Sequence, residues 1–121
     1  MYAITESEYL VDIIFEKCVV SARIIRNYSR KLCAELEKKI PFTTMFTKRE
    51  KYIEIPLELK SSEGQYVSTI PRGSIAFSLS KQALILAMDD IPHRSIVIGE
   101  LENIENLNNL ERGIVTIRRK E

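Results

Sequence analysis

Gly73-Ser74-Ile75-Ala76-Phe77-Ser78-Leu79-Ser80-Lys81-Gln82-Ala83-Leu84-Ile85-Leu86-Ala87-Met88 decides the fold. Ile75, Phe77 and Leu79 alternate with Ser74, Ala76 and Ser78, the period of a half-buried strand. Ala83 to Met88 is apolar on both faces. Such a strand needs cover from a barrel interior on one side and from a helix or loop on the other. Together the two read as strands around a tight turn. Pro71-Arg72-Gly73 places proline and glycine where a β-turn leads into the first strand.

Downstream, Asp89 to Arg94 reads as a loop and Ser95 to Gly99 as another buried strand. Leu101, Ile104, Leu107 and Leu110 recur every third residue, which predicts one or two helical turns weakened by asparagine. Gly113 is the expected C-cap, and Ile114 to Arg118 the last strand.

Upstream, Tyr9, Val11, Ile13 and Phe15, then Cys18, Val20, Ala22 and Ile24, keep period two on both sides of Glu16-Lys17, a hairpin. Tyr28, Leu32, Leu36 and Ile40 recur every fourth residue, with Cys33 beside them, as one helical stripe. Asn27 or Ser29 caps its start. Lys31–Glu35 and Glu35–Lys39 are spaced as i,i+4 pairs, and Pro41 ends the helix. Phe42 to Phe46 and Tyr52 to Ile55 predict a hairpin around Lys48-Arg49-Glu50, with Pro56 at a strand end or edge. Leu57 to Gly64 reads as a loop and Tyr66 to Ile70 as a short strand. Roughly nine short strands, two helices and no repeated βαβ unit favour a mainly β fold, a closed antiparallel barrel or curled sheet with one main and one short helix. Ala83–Met88, apolar on both faces, with the matching helical stripe points to the closed barrel.

The 121 residues form one domain by length, with its core at about 9–119. Eighteen basic against seventeen acidic residues leave a net charge of +1. That charge gives no reason to expect nucleic acid or an anionic membrane. The N-terminus lacks the pattern of a secretion signal, and no apolar run approaches a membrane span. Cys18 and Cys33 sit in apolar patterns and read as free thiols, which points to the cytoplasm.

The order of these pieces resembles the small cyclophilin-like barrel proteins of bacteria and archaea, over about residues 9–119. The pieces that carry the resemblance are Lys39-Ile40-Pro41-Phe42, the Gly73–Met88 hairpin, and Val97-Ile98-Gly99-Glu100-Leu101 with the leucine-spaced turns and Gly113. The resemblance implies an eight-stranded cyclophilin-type barrel with helices closing its ends. Members of this small type generally have no assigned reaction, so the fold implies little about activity. This chain departs from the family's pocket segments. Phe46-Thr47-Lys48-Arg49 stands where Asn-Thr-Trp-Gly is common, and Ser78-Leu79-Ser80 where Trp-Pro-Pro is common.

Residue chemistry singles out few candidates. His93 is the lone histidine, in a loop, without partners for a triad or a metal shell. Asp89-Asp90 read as strand-ending turn residues. Arg118-Arg119-Lys120 reads as a frayed basic end. In the cyclophilins that the chain resembles, isomerisation relies on an arginine hydrogen-bonded to the prolyl nitrogen, with an aromatic floor. Arg72 and Arg94 are the catalytic candidates, with Arg23 behind them; Phe46, Phe77 and His93 are the ligand-binding candidates. No metal or cofactor is expected. The expected role is a non-catalytic barrel binding a peptide, small ligand or protein. The alternatives are a weak peptidyl-prolyl isomerase and a self-assembling accessory subunit.

Overall fold

The computed structural model describes residues 7–120. The reading of the extreme N-terminus lies outside that range. Nine strands form among the described residues: β1 (Glu8–Phe15), β2 (Val19–Ile25), β3 (Phe42–Lys48), β4 (Tyr52–Pro56), β5 (Tyr66–Val67), β6 (Ser74–Ser78), β7 (Ala83–Ala87), β8 (Ser95–Leu101) and β9 (Arg112–Arg119). Helix α1 (Arg30–Lys39) lies between β2 and β3, and 3-10 turns cover Arg26–Tyr28 and Ile104–Asn109. The strands run in the order β2-β1-β9-β3-β4-β7-β6-β8, and β8 returns to β2. This closes an eight-stranded antiparallel barrel, which removes the free edges of an open sheet. The two-residue β5 attaches to β8 outside the ring, pairing Tyr66 with Ile96.

Closure depends on Gly99. The β2–β8 seam has only three register pairs, Ala22↔Leu101, Arg23↔Glu100 and Ile24↔Gly99. A side chain at Gly99 would sit 3.1 Å from Ile24 Cα and would overlap the Arg23 carbonyl oxygen. Glycine is there because the two backbones must meet.

The barrel interior is filled by the inward row of each strand. Val11, Ile13, Val20, Ala22, Ile24, Ile53, Ile55, Phe77, Leu84, Leu86, Ile96 and Ile98 are all fully buried. The period-two reading of β1 and β2 holds, and their turn is Glu16-Lys17, closed by Phe15 N–H to the Cys18 carbonyl at 2.8 Å. The all-apolar reading of Ala83–Met88 holds through Ala87, since every residue of β7 is buried. Its outer cover is loop: Ile70 and Ile91, bridged to each other, pack with Ala76, Ile85 and Ala87. The expectation for β6 is corrected too. It is buried on both faces, Ser74, Ala76 and Ser78 included.

Helix α1 starts at Ser29, whose Oγ accepts the Leu32 N–H at 3.3 Å. It ends at Ile40, in extended backbone before Pro41. Leu32, Cys33 and Leu36 pack into the barrel core, and each leucine contributes about 1.5–3 kcal/mol of burial. Tyr28 and Ile40 fall outside the helix and are half-buried. The i,i+4 pairs do not form. Glu35 instead accepts the Lys60 and Ser61 N–H groups, both at 2.7 Å, and Lys31 reaches Glu63 at 2.9 Å. Helix charges thus strap down the 57–64 loop, because fixed backbone donors suit a carboxylate better than a mobile lysine does.

Two further expectations change. Gly113 lies inside β9 opposite Phe46 and does not cap the leucine-spaced turn. That turn ends at Leu110, whose N–H bonds the Leu107 carbonyl. The basic end is not frayed through residue 119. Arg119 is paired in β9 with Val11 and joins Arg26 on the Glu37 carboxylate.

Candidate functional site

A depression lies on the outer wall of the barrel, where β6 pairs with β8 and the 65–73 connection folds past them. It encloses about 600 Å³, within the range of small-molecule pockets. Val67, Pro71, Val97 and Leu101 give it an apolar lining, Tyr28 adds a phenol, and Arg72 and Glu100 supply charge.

The turn that expectation placed at Pro71-Arg72-Gly73 fixes Arg72. Ser74 N–H bonds the Pro71 carbonyl at 3.1 Å, and Gly73 takes φ +85°, a conformation that favours glycine. The Arg72 N–H donates to Asp90 Oδ1 at 2.8 Å, and its Nε donates to the Met88 carbonyl at 3.3 Å. Asp89 and Asp90 therefore act as turn residues: Asp90 N–H also donates to Asp89 Oδ1 at 2.8 Å. Among the described residues the two terminal nitrogens of Arg72 have no protein partner. Glu100 does have one, the Arg23 guanidinium at 3.5 Å.

The structure does not bring the other sequence candidates to this groove. Arg94 stacks on the Tyr66 ring, 4.1 Å from its centre. Phe77 is fully buried in the barrel core. Phe46 packs edge-on against Phe15 at 4.8 Å and borders a separate cavity of about 230 Å³ with Leu110 and Gly113.

His93 is half-buried and anchored, not free in its loop. Its Nε2 lies 2.8 Å from Ser78 Oγ, which also accepts the Lys81 N–H at 3.2 Å. Burial pushes the His93 pKa below the usual imidazole value, the Lys81 charge adds to this, and Glu54 opposes it. The ring borders a cavity of about 240 Å³ with Tyr52, Lys81 and Ile91. A serine beside a histidine suggests a nucleophile and base. Ser78, however, is fully buried at the end of β6, so no substrate reaches its oxygen. The pair latches the 89–94 loop to the β6–β7 turn. Sequence reasoning missed it because fifteen residues and a whole strand separate the partners.

Both cysteines are free thiols. Cys33 Sγ donates to the Ile25 carbonyl at 3.5 Å, and burial pushes its pKa up to about 11. Cys18 Sγ donates to the Asn106 carbonyl at 3.6 Å. Among the described residues no group of three or more His, Cys, Asp or Glu is placed to hold a metal ion, and no helix is long and apolar enough to cross a membrane.

Comparison with solved structures finds the same architecture in an archaeal protein. A hypothetical protein of Archaeoglobus fulgidus, solved in solution, aligns with a TM-score of 0.75 over 94% of this chain and 96% of its own. The two are 15% identical, so the likeness shows the fold alone. No family model matches the chain, and no curated protein matches it.

Proposed function

We propose that this protein is a non-catalytic, cyclophilin-like binding barrel whose ligand site is the outer-wall groove between Tyr28, Arg72 and Leu101. The observation that carries the reading is the pairing of an apolar lining with Arg72, whose terminal nitrogens are unmatched. A binding site needs surface to bury and a few fixed polar groups to orient what it buries. The groove offers both. The cyclophilin-like part of the reading is supported by the closed eight-stranded barrel and by the packing of α1 against its core. A small ligand or a peptide segment fits the volume. The free thiols of Cys18 and Cys33 fit a reducing compartment such as the cytoplasm.

One observation favours the isomerase as a second reading: Arg72 and the Tyr28 ring line the same groove. The test is a nitrogen-15 amide titration with a fragment set and a proline tetrapeptide, run beside an isomerisation assay. Ligands should move the amides of Arg72, Gly73, Val97 and Leu101 as one set without accelerating isomerisation. Shifts confined to Phe46–Gly113 would remove the groove as the site. Isomerisation above the uncatalysed rate that Arg72→Ala abolishes would establish the isomerase instead.

A further inference from the structure

We infer that the groove's ligand is a small carboxylic acid with an apolar body, its carboxylate clasped by Arg72; this rests on the groove being the binding site. Charge is the first argument. Two charged residues line the groove, Arg72 and Glu100. Glu100 is paired with Arg23 at 3.5 Å, which also reaches Glu8 at 4.0 Å, whereas the Arg72 guanidinium has no carboxylate partner among the described residues: Asp90 accepts only its backbone N–H. The complement is an anion.

Geometry is the second argument. Arg72 is tied at its root, through its backbone N–H to Asp90 and its Nε to Met88. What it presents is the terminal part of a planar fork. One such fork matches a planar carboxylate with two parallel bonds. A phosphate would bring more negative charge than one arginine balances, and the other polar groups of the lining, Tyr28, Gln65 and Ser74, are uncharged.

Hydrogen-bonding capacity separates a free acid from a peptide end. A peptide brings amides that need partners. The backbone around Arg72 is already committed: Gly73 N–H to Ala87, Ser74 N–H to Pro71, and Leu101 N–H to the Gly73 carbonyl at 2.7 Å. An apolar body without amides leaves no polar group unpaired against Val67, Val97 and Leu101.

The test uses the full chain and two probe pairs: 4-phenylbutyrate with its primary amide, and the tripeptide Ala-Ala-Leu with its C-terminal amide. Binding is read by amide titration. Phenylbutyrate should move Arg72, Gly73, Val97 and Leu101. Its affinity should fall about tenfold or more in the neutral amide and in Arg72→Ala, and should hold in Arg94→Ala, since Arg94 is stacked on Tyr66. Equal binding of acid and amide within the groove, or unchanged binding by Arg72→Ala, would overturn the carboxylate and leave the groove reading standing. Tighter binding of the tripeptide acid than of phenylbutyrate would overturn the free acid in favour of a peptide end. If no probe moves the groove amides, both readings fall.

Discussion

Replacing Gly99 with alanine should open the barrel at its seam. The added Cβ would overlap the Arg23 carbonyl oxygen and lie 3.0 Å from its carbon and 3.1 Å from Ile24 Cα. All three atoms are backbone, so no side chain can swing away. Relief requires β2 and β8 to separate where they share only three register pairs. Overpacking alone costs about 1–3 kcal/mol. Losing one ladder hydrogen bond adds about 0.5–1.5 kcal/mol. The sum is about 1.5–4.5 kcal/mol, or a fall of about 6–18 °C in melting temperature at roughly 4 °C per kcal/mol for a chain of this size. The protein has five tyrosines and no tryptophan, so urea unfolding is followed by tyrosine fluorescence and circular dichroism together. Gly73→Ala is the control. Its Cβ would meet nothing within 4 Å, so only the cost of positive φ remains, about 1–2 kcal/mol. If Gly99→Ala costs no more than Gly73→Ala, the seam is looser than described and the close-approach argument is wrong.

Leu36→Ala should cost about 2–5 kcal/mol by urea unfolding, as a cavity under α1; a cost near zero would mean that the helix does not pack there. Glu35→Ala frees the Lys60 and Ser61 N–H groups. Hydrogen exchange at those two amides should then rise, with a stability loss of about 1–2 kcal/mol, and unchanged exchange would refute the strap. His93 has a folded-state pKa below the ordinary imidazole value. Its contribution to stability is therefore full above that value and is lost as pH falls through the depressed one. Between pH 7.5 and 5 the urea midpoint should decline in the wild type and decline less in His93→Gln. Glu37, held low by Arg26, loses its contribution only at more acid pH. Under native conditions at pH 8, iodoacetamide should modify Cys18 slowly and spare Cys33, which is buried with a pKa near 11. Mass spectrometry showing Cys33 modified first would contradict its placement.

The barrel was legible where burial is one-sided or total, because both leave a period in the sequence. The alternation in β1 and β2 and the unbroken apolar run of β7 translated directly into walls of the barrel. The reading failed where tertiary cover overrode local pattern. Ser74 and Ser78 look like solvent positions, yet both are buried, and Ala76 between them is covered by Ile70 and Ile91. Lys31 and Glu35 look like a helical pair, yet a loop more than twenty residues away offered better partners. The site was legible in one residue. Arg72 is marked by its turn, but Tyr28, Val97 and Leu101 come to it only through barrel closure, and no local spacing encodes that.

The position of β9 sets a constraint on how the chain is made. It lies between β1 and β3, pairing Ile13 with Ile117 on one side and Phe42 with Ile117 on the other. During synthesis every other wall strand emerges from the ribosome before the one that joins them. Until residue 119 is free, β1 and β3 carry bare edges that no local hairpin can cover. Such long-range pairing is slow, and unpaired edges attract other chains. Folding of the ring as a whole thus waits on β9, and until β9 pairs, β1 and β3 stay open to other chains.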